Sequence, residues 1–388
     1  MKEGNDQMKQ IDAIIVGGGV IGNAIAYYMS VRGMKVVLLE RDRVGSHASA
    51  AAAGMLAAQA EITEAGPLFD LARASRALFP QLSTDLRALT GIDIGLQRKG
   101  LFRVAVTDED MTDIKRTLTF QKSAGEQAEW LSSEQVRQRE PRISSDIRGA
   151  MRIEEDSQVD APELCAAFAQ AAVALGAQIK EFTEVKSFLQ YKGGMTGVIT
   201  SDGDLHSEHI IIASGVWSGS LLAQVGVTCP IYPVKGECFS VVSHIPLLES
   251  TIVSHGCYLV PKKGGRIVVG ATAYAHNYDR KVSLGGISRL LDAAKRLLPD
   301  MVDAEWQRAW SGLRPQTLDG LPYLGEHPHW KGLYVATGHY RNGILLSPMT
   351  GKLVADWVEG KKEEELSLEA YRVDRHEKRV LDKEGTPI

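Results

Sequence analysis

Gly17, Gly19 and Gly22 stand at GxGxxG spacing, and Glu40 follows eighteen residues after the last of them. In this pattern the first glycine allows a tight turn, the second lets backbone approach a pyrophosphate, and the third lets a helix pack on a strand. A carboxylate at Glu40 is placed to hold ribose hydroxyls and disfavours a 2′-phosphate. The elements that must position these groups are legible around them. Asp12-Ala-Ile-Ile-Val-Gly-Gly-Gly-Val-Ile-Gly22 predicts a strand, a glycine turn and a helix start, and Val36-Val-Leu-Leu-Glu40 predicts a second, buried parallel strand with an acidic end. Unpaired N–H groups at the helix start, with the positive end of its dipole, then face the phosphates. A membrane span is the competing reading of residues 11 to 31. Asp12, Asn23 and three adjacent glycines interrupt that apolar run, leaving it shorter than the ~20 predominantly apolar residues a span needs.

The composition narrows the class. At 388 residues with 44% hydrophobic side chains, the chain reads as a soluble globular protein of two domains or one large composite one. A net charge of −4, with Lys and Arg dispersed, provides no basic surface for nucleic acid. Cys165, Cys229, Cys238 and Cys257 form no CxxC pair and have no metal-like spacing with histidine, so they read as small buried thiols, with no metal site expected. No cleavable signal is evident, and the expected compartment is cytoplasmic, with no membrane partner.

Further along, residues 45 to 60 are almost all small, too poor in large side chains to build a core, which suggests that something flat and large lies against them. Residues 68 to 90 read as an amphipathic helix, and Gly100 to Val106 as part of a short strand pair. Asp160, Pro162 and Glu163 mark a helix start, with the helix running to about Leu175. Short strands follow at Gln178 to Phe182, Val185 to Tyr191 and Met195 to Thr200, and then His209 to Gly215 reads as a strand rejoining the parallel sheet. Between 229 and 315, strand-like runs separated by Pro and Gly predict an antiparallel sheet able to wall a substrate pocket. Ser347 before Pro348 predicts the cap and first residue of a final helix, and the charged tail after about Lys361 is expected to be peripheral.

Several segments agree on one family. VGGGVIGNAIAYYMSVRGMKVVLLERD, AGML, PVKGEC, WSGLRPQTLDGLPYLG and GHYRNGILLSPMTG together resemble the FAD-dependent amino-acid oxidases, over about residues 11 to 375. The resemblance implies an α/β fold, with a Rossmann-like FAD-binding domain joined to a mostly antiparallel β-sheet substrate domain plus helices. The expected segments are 1–90, 150–222 and 325–388 for the first domain, and 91–149 and 223–324 for the second. Carried over residue by residue, Gly17, Gly19, Val20, Ile21, Gly22, Glu40 and Arg41 resemble the adenosine and pyrophosphate contacts. Ala48, Ser49, Ala53, Gly54 and Met55 resemble the segment along the flavin, and Val185 the backbone contact to adenine. His339, Arg341, Asn342, Gly343, Ile344 and Leu345 resemble the loop around the isoalloxazine, whose N–H groups near a helix start suit a reduced, anionic flavin. Some relatives attach flavin through a cysteine near the region Leu313 to Tyr323; none occurs there, so noncovalent FAD is expected.

For substrate, the resemblance implies a small amine or amino acid. A planar guanidinium clamps both oxygens of a carboxylate, and Arg314 matches the family's carboxylate-binding arginine. Tyr258 matches a tyrosine that adds a hydroxyl hydrogen bond, and Arg341 is open between anchoring the flavin loop and reaching substrate. Gly256 and Ala273, with Ala57, depart from the side chains of relatives and suggest an altered pocket. The implied reaction is oxidative deamination of glycine, sarcosine and some D-amino acids, with hydride passing to FAD and dioxygen becoming hydrogen peroxide. The imine or glyoxylate product would serve thiazole synthesis in thiamine biosynthesis. Orientation is expected to suffice, with no catalytic side chain. A homotetramer is implied by the same resemblance. A D-amino-acid dehydrogenase, a sarcosine oxidase and a catalytically silent flavin module remain the alternatives.

Overall fold

The computed structural model describes residues 11–361 and 366–377. Its first layer is a six-stranded sheet in the order Tyr323–Glu326, Leu333–Thr337, Ile210–Ile212, Ala13–Val16, Val36–Leu39, Gln178–Lys180. All pairs are parallel except the first, which is antiparallel. Alternation along each strand sends side chains to opposite faces. Ile15, Leu38 and Ile211 meet the helices Val20–Val31, Ala161–Ala174 and Gly343–Val358, whereas Ile14, Val37 and Ile210 meet a meander containing Phe188 and Val198. Both faces are therefore covered, which is why these strands read as unbroken apolar runs. His209 to Gly215 does supply a strand of the parallel sheet. Of the short strands expected after the helix at Asp160, Gln178–Lys180 lies at the edge of the parallel sheet beside Val36–Leu39, and Val185–Tyr191, Gly194–Thr200 and Gly203–His206 form a separate meander.

The second layer is a nine-stranded sheet. Its longest pair joins Ile231–Val242 to Glu305–Thr317 antiparallel, with Val234 opposite Arg314 and Gly236 opposite Gly312. The helix Leu284–Leu297 packs Ile287, Leu290 and Ala294 against Phe239, Leu259 and Val269 of this sheet. Strand Gly149–Ile153 also pairs here, with Leu101–Ala105, so it crosses the boundary expected at residue 150. Residues 1–10, 362–365 and 378–388 of the expected segments lie outside the described residues.

Helices formed close to where their signals stand. Pro67–Thr90 carries proline in its first turn and ends at Gly91, whose left-handed backbone suits glycine. Asp160 caps Ala161–Ala174 by accepting from the Glu163 N–H. The final helix is different. It runs Gly343–Val358, with Ser347 and Pro348 buried inside it and no longer at its start. Proline there leaves the Ile344 carbonyl without its usual N–H partner, and the Ser347 hydroxyl takes that place, donating to Ile344 O at 2.9 Å. One residue on, Ser75 from the neighbouring helix inserts its hydroxyl, donating to Leu345 O at 2.7 Å and accepting from Met349 N–H at 3.2 Å. A local cap signal is thus overridden by side-chain repair of the backbone.

The tail is also not wholly peripheral. Tyr371 and Val373 are buried, the Tyr323 hydroxyl meets His376 Nδ1 at 2.6 Å, and Arg375 forks onto Asp319 at 2.7 and 3.0 Å. Apolar residues scattered among the charges dock it.

Because Ser75 satisfies two buried backbone groups, Ser75→Ala should destabilise the fold by about 1 to 3 kcal/mol. Urea unfolding monitored by tryptophan fluorescence should show a lowered midpoint, and an unchanged midpoint would mean that the helix closes its own bond across the gap.

Candidate functional site

The carboxyl ends of Ala13–Val16, Val36–Leu39, Ile210–Ile212 and Leu333–Thr337 open into one cavity of about 670 Å³. Ligands of open α/β sheets bind at this edge, where strands end and loops begin. Gly17, Gly19, Val20, Ile21, Glu40, Arg41, Ala48, Ser49, Ala53, Gly54, Met55, Val185, Tyr258, Arg314, His339, Arg341, Asn342, Gly343 and Ile344 all border it.

At the glycine turn, Gly17 has φ +112°, and a Cβ there would press on the Ala213 carbonyl. Gly22 does not border the cavity; a Cβ on it would overlap the Gly17 carbonyl oxygen, so it supports the turn from behind. Glu40 accepts from Gly18 N–H at 2.7 Å and Asp42 N–H at 2.9 Å, locking the acidic strand end to the turn. Ser49 Oγ accepts from Val20 N–H at 2.9 Å, so the hydroxyl covers one free donor of the helix start and keeps its own proton to offer an anion. Arg41 lies over the Trp217 ring at 4.0 Å, and His47 meets Asp42 at 2.6 Å, a bond that holds the Asp42 carboxyl below its ordinary range. Trp217, Asp42 and His47 were missed in the sequence. The strand-end rule could have found Trp217, which closely follows strand Ile210–Ile212.

At the other end, Arg314 lies across Gly236, where any Cβ would overlap its guanidinium. Its Nη1 donates to the Thr272 carbonyl at 3.2 Å, and no acid pairs with it among the described residues. The Tyr258 hydroxyl is 3.4 Å from Cys238 Sγ. Burial drives this phenol well above its ordinary pKa, against the opposing pull of Arg314 and Arg341, so it stays a donor. Burial also raises the Cys238 thiol, keeping it protonated. Arg341 forks onto Glu61, with Nη2 to Oε1 at 2.8 Å and Nε to Oε2 at 2.7 Å, which favours its anchoring role in the loop. His339 Nε2 meets Thr350 Oγ1 at 3.1 Å, and burial pushes the imidazole down to about 3. It is neutral near pH 7.

Besides Gly22, three further expected site residues do not border the cavity. Leu345 is part of the helical core. Gly256 is exposed, with φ +76° in the turn between Ser254 and Cys257, and Ala273 is exposed just past Thr272; neither borders the cavity. Gly256 serves the turn, and the two small residues do not enlarge the pocket.

The cavity suits FAD: a carboxylate and an arginine-indole pair at one end, a glycine turn at a helix start, a wall of small residues, and a second helix start at Gly343. Residues 12–357 match the model of the FAD dependent oxidoreductase family, DAO, and the chain belongs to that family. It is 49% identical over 94% of its length to a glycine oxidase from Geobacillus kaustophilus, covering 97% of that protein, and a solved glycine oxidase structure from the same organism superposes with TM-score 0.92, covering 94% of this chain and 98% of that one. A bifunctional ThiO/ThiG protein from Trichormus variabilis is 35% identical over 95% of this chain and 56% of its own length. An iminodiacetate oxidase from Chelativorans has TM-score 0.85 at 25% identity, covering 93% of this chain and 98% of that one.

Gly22→Ala should lower FAD content by forcing the helix away from the turn, measured as the flavin to protein absorbance ratio; normal loading would refute that placement. His339 yields a pH prediction. Its folded pKa lies below the unfolded value of about 6.5, so its stabilisation is present above that value and is lost as pH falls toward about 3. Between pH 7 and 5 the loss from this group should be about 2 kcal/mol. His339→Gln should therefore lose that much less stability over the interval in urea titrations, and parallel losses would contradict it.

Proposed function

We propose that this protein oxidises glycine and other small amines, sarcosine and some D-amino acids among them, with FAD as electron acceptor and dioxygen as final oxidant. The observation that carries the reading is an acid-free Arg314 beside a protonated Tyr258, at the end of the cavity where the loop 338–343 and its helix start converge. A guanidinium and a phenol together supply donors for both oxygens of one carboxylate. When bound, FAD supplies the two-electron acceptor for the substrate Cα–H hydride and passes those electrons to dioxygen, giving hydrogen peroxide. The protein's part is placement: Arg314 and Tyr258 hold the carboxylate, and orientation lowers the barrier by fixing the C–H bond. Burial makes the His339 imidazole too weak a base to take an ammonium proton, its pKa pushed down to about 3, so in this reading the amine gives up its proton to solvent or enters uncharged. Gly17, Gly19, Glu40 and Arg41 would hold the adenosine and phosphates, and Ala48 to Met55 with Gly343 and Ile344 would hold the ring. The two sheets serve as cores of an FAD domain and a substrate domain. We also assign the product imine to thiazole synthesis in thiamine biosynthesis, supported by similarity to part of a bifunctional ThiO/ThiG protein. A cytoplasmic homotetramer completes this reading; no helix among the described residues is long and apolar enough to cross a membrane.

Anaerobic glycine should bleach the flavin, and aerobic turnover should yield one peroxide per amine in membrane-free preparations. A bleached flavin without peroxide would mark a dehydrogenase, and none at all a silent module. Arg314→Ala should raise the amine KM strongly, since breaking a desolvated charge pair costs on the order of 2 to 5 kcal/mol, with Arg314→Lys intermediate. Ordinary glycine kinetics in both would move the carboxylate site elsewhere. Acid precipitation should leave all flavin in the supernatant, as no cysteine lies between Leu313 and Tyr323; flavin in the pellet would disprove noncovalent binding.

A further inference from the structure

Two guanidiniums face the substrate end of the cavity, since Arg314 and Arg341 both border it and both act on the Tyr258 phenol. They differ in charge balance. Among the described residues Arg314 has only the Thr272 carbonyl, whereas Arg341 is met by both oxygens of Glu61, which itself borders the cavity with a side chain 14% exposed. The Glu61 contact is the two-point geometry a substrate carboxylate would adopt on a free arginine.

Glu61 is held there by more than Arg341. It ends the short helix Ala58–Glu61, whose Gln59 and Ala60 N–H groups donate to buried Asp156 at 3.2 and 2.9 Å. Arg76 bridges Asp156 and Glu126 at 2.8 and 3.0 Å, and Gln121 Nε2 donates to the carbonyls of Gln59 and Ile62 at 3.0 and 3.2 Å, on either side of Glu61. Arg103 is within electrostatic range of Glu61, but its guanidinium donates to Thr117 Oγ1 at 3.2 Å and does not border the cavity. The backbone carrying the carboxylate is thus fixed on both sides.

We propose that Glu61 is the residue that restricts this site to amines bearing a single carboxylate. By filling the Arg341 fork it leaves one cation, Arg314, for one anion, and a second substrate carboxylate meets an occupied guanidinium and a like charge. The inference rests on the amine-oxidase reading above. The fold itself does not set the limit, because a protein of the same fold is an iminodiacetate oxidase.

The test uses holoenzyme and three substrates: glycine, iminodiacetate, and the monoamide of iminodiacetate, which matches its shape without the second charge. In the native enzyme, anaerobic flavin reduction per unit concentration should favour the monoamide over iminodiacetate by about tenfold or more. Glu61→Gln should close or reverse that ratio, and adding Arg341→Met should restore the handicap of the dicarboxylate. An unchanged ratio in Glu61→Gln, or a gain that survives loss of Arg341, overturns the proposal. A variant-free arm guards against misfolding: malonate monoamide should perturb the native flavin spectrum at about tenfold lower concentration than malonate, and equal or tighter malonate binding also overturns it. If glycine fails to bleach the native flavin, the amine-oxidase reading falls. If glycine bleaches it and iminodiacetate is already preferred, only the role of Glu61 falls.

Discussion

The segment from Ala48 to Met55 is the seam on which the structure depends, and its constraint is the near absence of side chains. On one side the Ala51 carbonyl accepts from Trp310 Nε1 at 3.1 Å, and a Cβ on Gly312 would press into the Ala51 methyl. On the other, the Gly54 carbonyl accepts from Val159 N–H at 2.8 Å, and the chains run so close that a Cβ on Gly54 would overlap the Val159 carbonyl. That Val159 carbonyl accepts from Lys262 Nζ at 2.7 Å, an amine that burial pushes down to about 7. The seam thus meets the nine-stranded sheet at Trp310 and Gly312, and the Val159 segment ahead of helix Ala161–Ala174, with little more than backbone and methyl groups. What remains beside it is a cavity large enough for a flat ring system.

Polar groups are then sorted by face. In Pro233-Val-Lys-Gly-Glu-Cys238, strand alternation turns Gly236 and Cys238 toward the cavity, and Lys235 and Glu237 away from it. Lys235 and Glu237 pair at 3.1 Å while almost wholly buried, and Glu237 also accepts from the N–H and hydroxyl of Ser283, which caps helix Leu284–Leu297. A buried pair of this kind is retained at a desolvation cost. Here it ties the strand bearing the Arg314 cleft to the helix behind it. Asp156 plays the matching part for the short helix of Glu61, its carboxyl raised to about 6 by burial against the pull of Arg76.

Two cations of like chemistry therefore have different tasks. Arg314 extends from a long antiparallel pair and has no acid partner among the described residues; Arg341 follows Tyr340, whose φ of +48° bends the loop, and is tied to Glu61. The charge at the end of the cavity is set by which arginine has an acid within reach.

Local sequence carried the dinucleotide turn, the buried parallel strands, the helix at Asp160 and the small-residue seam, because each rests on interactions within a few residues or on the absence of a side chain. The resemblance to the FAD-dependent amino-acid oxidases, not spacing, brought out Arg314, Tyr258 and the loop at His339 to Leu345. Tertiary structure decided the rest. Ser347 and Pro348 hold an ordinary cap signal, yet the Ser75 hydroxyl, bonded to Met349 N–H across 274 residues, helps carry the helix through them. Gly256 and Ala273 align beside site residues but end up exposed, since a turn and a strand end set their direction. The pairing of Glu61 with Arg341 spans 280 residues, and no local pattern encodes it. Charge partners of that separation are chosen by how the two sheets dock, and only the folded chain brings them together.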